Sequence, residues 1–162
     1  MPDLLTGGLV KIIQSRLRRD FFNFGYLESK QRYTFKKDEK LKSRKTIEQL
    51  FQKGKSFSNF PFRVLWEFKE TPGSVLQSGF AVSSKHFKNA VDRNRIKRLM
   101  REAYRLQKNE LQGQLKNRQK YLAIFFIYTG NELPEYDLVF KKMGSALIRL
   151  LKTVHEDNLA DT

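Results

Sequence analysis

The chain has 162 residues, the size of one ordinary domain, and its 32 Lys plus Arg against 17 Asp plus Glu leave a net charge of +15 at pH 7, a surplus that favours a polyanionic partner. With 40% hydrophobic and 13% aromatic residues it can bury a core, which excludes a wholly disordered basic tail, and with no Cys it excludes disulfide scaffolds, zinc ribbons, iron-sulfur clusters and thiol catalysis. The longest apolar run, Tyr121 to Tyr128, has eight residues, against the ~20 that a membrane-spanning helix needs.

Residues 1–34 read as an N-terminal extension of weak order, with Leu9, Ile12, Ile13, Leu17 and Phe21 at loosely helical spacing. A helix lying on a membrane surface or on a partner is the other reading of that spacing. Lys11 divides the best apolar stretch of this opening, and no small-residue cleavage site follows, so a secretory leader is not expected. The expectation is a cytoplasmic protein with no membrane partner. Ser43 can cap a short helix carrying Ile47, Leu50 and Phe51, and Gly54 is placed to stop it. From Phe60 the pattern turns to period two, with Phe60, Phe62, Val64, Trp66 and Phe68 on the core face of a strand and Arg63, Glu67 and Lys69 opposite.

A turn at Thr71-Pro72-Gly73 leads to a second strand, Leu76 to Ser83. Asp92 offers an N-cap for a helix running through RNRIKRLMREAYRLQKNEL and fading near Gly113 or slightly later. Tyr121 to Tyr128 is the third strand. The Asn131 to Pro134 turn opens a last helix with an apolar stripe of Phe140, Met143, Leu147, Leu150 and Leu151. The order α-β-β-α-β-α, with room for one extra short strand, predicts an α+β two-layer sandwich, one sheet with helices packed on it. The expected organisation is the extension (1–34), a folded basic domain (35–155) and a flexible tail (156–162).

The charge is concentrated. Residues 30–63 carry 11 basic and 3 acidic side chains and residues 85–105 carry 8 and 2, so 55 residues hold +14 of the +15. A binding surface concentrates its surplus in this way, whereas a solvated surface spreads it. Projected as a helix, residues 93–105 place Ile96, Leu99, Met100, Ala103 and Tyr104 on one arc. Arg93, Asn94, Lys97, Arg98, Arg101 and Arg105 lie on the opposite arc, and Arg95 projects alone. With Asp92 and Glu102 as the only acids within the run, several cations lack internal partners, an arrangement that a phosphate backbone stabilises. Lys85 and Lys88, just upstream, are candidates for further phosphate contacts. His86 and His155 stand 69 positions apart, and no metal-ligand spacing occurs in the chain.

The run GFAVSSKHFKNAVDRNRIKRLMREAYR, Gly79 to Arg105, closely resembles the signature of the bacterial ribonuclease P protein component, an RNRxKR core followed by an R-E pair. TFKKDEKLKSRKTIEQLFQKGKS, Thr34 to Ser56, resembles the family's opening segment, and the resemblance extends from about Phe35 to Val154. It implies a mixed sheet with a left-handed crossover between parallel strands, against the usual right-handed preference. It also implies a protein subunit that binds a catalytic RNA and the 5′ leader of precursor tRNA and assists endonucleolytic removal of that leader. The RNA subunit uses Mg2+ and performs the hydrolysis, the protein alone binds no cofactor and holds no catalytic residue, and no protein partner is evident. By the same resemblance Arg93, Asn94, Arg95, Lys97, Arg98 and Arg101 dock on the RNA subunit, while Ile47, Phe51, Leu65 and Arg63 belong to the leader cleft. Ile47 and Leu65 stand where relatives often carry aromatics, and Ser84 where a second Lys beside Lys85 is common. The competing readings are a structural RNA-binding protein of ribosomal type, which shares this fold class and charge, and a self-sufficient nuclease.

Overall fold

The computed structural model describes residues 33–70 and 73–156. The helical spacing read at residues 9–22, part of the 71–73 turn and nearly all of the C-terminal tail lie outside the described residues. The described residues belong to one compact unit, which begins at Tyr33.

Helix α1, Arg44–Lys53, begins where Ser43 Oγ accepts the Thr46 N–H at 3.4 Å. It ends at Gly54, whose N–H donates to the Leu50 carbonyl at 3.0 Å. A Cβ at Gly54 would lie 2.3 Å from that carbonyl oxygen, so the close approach requires glycine. Strand β1, Lys55–Asn59, is the extra short strand, and it pairs antiparallel with β2, Phe62–Lys69. Strand β3 is Leu76–Val82 and β4 is Tyr121–Tyr128, in the sheet order β1-β2-β4-β3. β2 is antiparallel to β4 and β3 is parallel to it, making the sheet mixed. The parallel pair is joined by a crossover through α2, Ala90–Gln107, and α3, Asn109–Asn117. Helix α4, Tyr136–Glu156, closes the fold.

Alternation assigns the two sheet faces. Phe62, Val64 and Trp66 of β2 stand beside Leu122, Ile124 and Phe126 of β4, and this face packs against Ile96, Met100 and Tyr104 of α2 and Val139, Met143 and Leu147 of α4. The opposite face carries Leu65 and Ala123, which with Leu50 of α1 form a second, smaller cluster, flanked by Phe125 and Ile127. Leu50, fully buried, contributes roughly 1.5–3 kcal/mol to holding α1 on the sheet, and Phe125 and Ile127 beside it stay partly exposed. β3 is an edge strand, and the lead-in segment covers its edge: Ser78 donates its N–H to the Glu39 carbonyl at 2.9 Å and accepts from Leu41 N–H at 3.0 Å.

Four expectations are corrected. Phe60 is 68% exposed because Asn59 pairs with Phe62, leaving Phe60 and Pro61 as the two turn residues of the β1–β2 hairpin; Pro61 has no N–H to continue a ladder. The N-cap of α2 is Asn89, and Asp92 sits in the first helical turn, where its charge favours the positive end of the helix dipole. The helix expected as one piece is two, meeting at Lys108, with the second reaching Asn117. In α4 the stripe begins at Val139, and Phe140 is 37% exposed.

Candidate nucleic-acid interface

α2 presents its apolar arc to the sheet as the projection requires: Ile96, Met100, Ala103 and Tyr104 are buried and Leu99 is half-buried. Asn94, Arg95, Arg98 and Arg101 are exposed on the outside and Lys97 is partly so. The cations of this face differ in what they already hold. Arg93 Nη1 donates to the carbonyls of Phe87 at 2.8 Å and Lys88 at 2.5 Å, which ties the loop carrying the exposed Lys85 and Lys88 to the start of the helix. Arg105 donates through Nε and Nη2 to both carboxylate oxygens of Glu102, at 3.0 and 2.5 Å, and through Nη1 to the Tyr33 carbonyl. The hydrogen bond from Arg105 holds the Glu102 carboxyl below its ordinary pKa. Among the described residues the side chains of Arg95, Lys97, Arg98 and Arg101 make no hydrogen bond or ion pair, so their charge is available to an external anion.

The second surface lies across the sheet. Phe51 is 52% exposed on α1, and its ring meets Phe125 of β4 edge-on with centroids 5.5 Å apart. Phe125 lies over Gly79, where a Cβ would approach the ring to 2.4 Å; glycine at that position gives the aromatic its place on the floor. Ile47 is half-buried on α1, and Arg63 is exposed and pairs in register with Ile127. Leu65 is on this face but buried under Leu50, so it supports α1, and the accessible floor beside it is Phe125 and Ile127. Sequence reasoning missed those two. The alternation within YLAIFFIY puts Ala123, Phe125 and Ile127 on a common face, but only the pairing with β2 shows which face that is. Phe60, read as core, is instead a large exposed apolar side chain at one end of this sheet.

The chain that places a basic helix face and an aromatic cleft on opposite sides of one small sheet also matches a known family. The family model described as Ribonuclease P matches residues 35–151. The chain belongs to the ribonuclease P protein family. A ribonuclease P protein component from Porphyromonas gingivalis is 41% identical over 122 residues, spanning 73% of this chain and 87% of that protein. One from Shouchella clausii is 37% identical over 117 residues, spanning 72% and 86%. The solved ribonuclease P protein from Thermotoga maritima is 26% identical and superposes with a TM-score of 0.52, covering 68% of this chain and 96% of its own. The match to the ribonuclease P family runs from the lead-in through most of α4 and leaves residues 1–34 outside. Membership makes the chain a protein component of the tRNA 5′-processing endoribonuclease, associated with its RNA subunit, and sets it apart from a structural protein of ribosomal type. Among the described residues no helix is long and apolar enough to cross a membrane.

Proposed function

We propose that this subunit binds the catalytic RNA through the exposed cations of α2 and the loop before it, and holds the single-stranded 5′ leader of precursor tRNA in the cleft between α1 and the sheet. Hydrolysis belongs to the RNA. A face this rich in Arg and Lys repels divalent cations, and of the two acids on α2 Glu102 is already clasped by Arg105, so the magnesium ions are assigned to the RNA and the protein contributes charge neutralisation and position. Unpaired nucleotides offer flexible phosphates and π faces, and a cleft with aromatic platforms and a nearby Arg receives them with little sequence preference, as processing many different leaders demands.

The observation that carries this reading is the separation of the two surfaces by the sheet, which lets one molecule hold two RNAs at once. The test is Phe51→Ala in the reconstituted enzyme. Affinity for precursor tRNA should fall by about 1–3 kcal/mol, the value of one base–aromatic stack, while affinity for mature tRNA, which has no leader, stays as in the wild type. Equal losses for both substrates would assign Phe51 to packing.

A further inference from the structure

The outer side of α2 borders an open groove of about 470 Å³, within the size range of small-ligand sites. Its apolar lining is Phe35, Leu99 and Tyr136, and its charged lining is Arg98, Arg101, Glu102 and Arg105. Glu102 and Arg105 neutralise each other, and the remaining bond of Arg105 goes to the Tyr33 carbonyl. The guanidinium groups of Arg98 and Arg101 make no hydrogen bond or ion pair among the described residues. The groove therefore combines two unspent cations with a half-buried aromatic ring, Tyr136, inclined at 44° to Phe140 with centroids 5.8 Å apart.

An anion alone would use the arginines and leave the apolar lining wet, and an apolar side chain would do the reverse. A planar base attached to a phosphate satisfies both. We propose that this groove receives one unpaired nucleotide of the catalytic RNA, its base against Tyr136 and Leu99 and its phosphate on Arg98 and Arg101. The proposal rests on the reading of α2 as the RNA-docking face. The leader is not the source, because its cleft lies on the other face of the sheet. The N-terminal extension is a poor occupant, since residues 1–29 carry 4 basic against 3 acidic side chains and bring no anionic surplus to the two arginines.

The experiment uses the full chain with its cognate catalytic RNA. Wild-type protein is first shown to stimulate precursor tRNA cleavage; failure there overturns the functional reading itself. Affinity for the catalytic RNA is then measured for Tyr136→Phe, which keeps the ring, and Tyr136→Leu, which keeps apolar bulk without a π face. Tyr136→Phe should bind within about twofold of wild type and Tyr136→Leu roughly 5-fold or more weakly, with both variants melting near the wild-type temperature. A benzophenone side chain placed at position 136 should cross-link to one unpaired nucleotide of the catalytic RNA. Wild-type affinity in Tyr136→Leu, equal losses in both variants, or cross-links to helical nucleotides, to the leader or to residues 1–32 would overturn the proposal while leaving the functional reading intact.

Discussion

Arg93 and Arg101 both belong to the cationic side of α2, yet one is spent and the other is not. Arg93 closes the loop before the helix by donating to two carbonyls; the Arg101 side chain makes no hydrogen bond or ion pair among the described residues. Arg101→Ala should leave folding stability within about 0.5 kcal/mol of wild type and reduce the salt dependence of RNA binding by ~0.7–0.9 log unit for each phosphate it no longer neutralises, read from affinities across a salt series. Arg93→Ala should instead lower the denaturation midpoint, at a cost of about 1 kcal/mol or more for removing hydrogen bonds made by a charged group. An unchanged midpoint in Arg93→Ala, or an unchanged slope in Arg101→Ala, contradicts this division of labour. The helical projection places both side chains on the outer face from sequence alone. It does not show the path of the 83–89 loop, which decides which carbonyls an arginine meets, and so it treats the two as equivalent.

Between elements, the tie of greatest consequence joins the lead-in to the junction of α2 and α3. Lys108 is 2% exposed, and its Nζ donates to Glu39 Oε1 at 2.5 Å. Glu39 also accepts from Gln112 at 3.2 Å and from the Lys36 N–H at 2.7 Å. Each charge thus has its partner and Glu39 has further donors, the condition under which a buried ion pair is tolerated. Lys108→Met should cost about 3–5 kcal/mol by leaving Glu39 buried without its cation, and combining it with Glu39→Leu should recover much of that loss; denaturant titration of the single and double variants measures both. A sequence reading sees Lys108 as one more basic residue on a helix and Glu39 as a stray acid in a lysine-rich stretch, because a pair 69 residues apart leaves no local signal. The elements with strong local signals were legible: Ser43 and Gly54 bound α1, and the uninterrupted apolar run from Tyr121 to Tyr128 matches β4 to the residue. KSFSN, with one apolar side chain, announces no strand, and β1 exists because β2 supplies the ladder it pairs with.

For the molecule as a whole, the sheet separates two surfaces. α2 and α4 bury one face and turn the charge of residues 85–105 outward, while α1 covers only part of the other and leaves Phe51, Phe125 and Ile127 along the cleft. Much of the basic surplus is carried by α1 and by the 83–89 loop and α2, the segments that border these two surfaces. The charge distribution, the RNR-containing motif and Phe51 pointed to both surfaces from sequence, whereas the floor of the cleft depended on strand register. The central claim is that the protein positions and neutralises RNA without cutting it, and the most direct measurement is reconstitution at low magnesium concentration with precursor tRNA, using the chain alone, the cognate catalytic RNA alone, and both. The account predicts no cleavage by the chain, slow cleavage by the RNA and markedly faster cleavage at the mature 5′ end by the two together; cleavage by the chain alone, or no gain on adding it to the RNA, would contradict it.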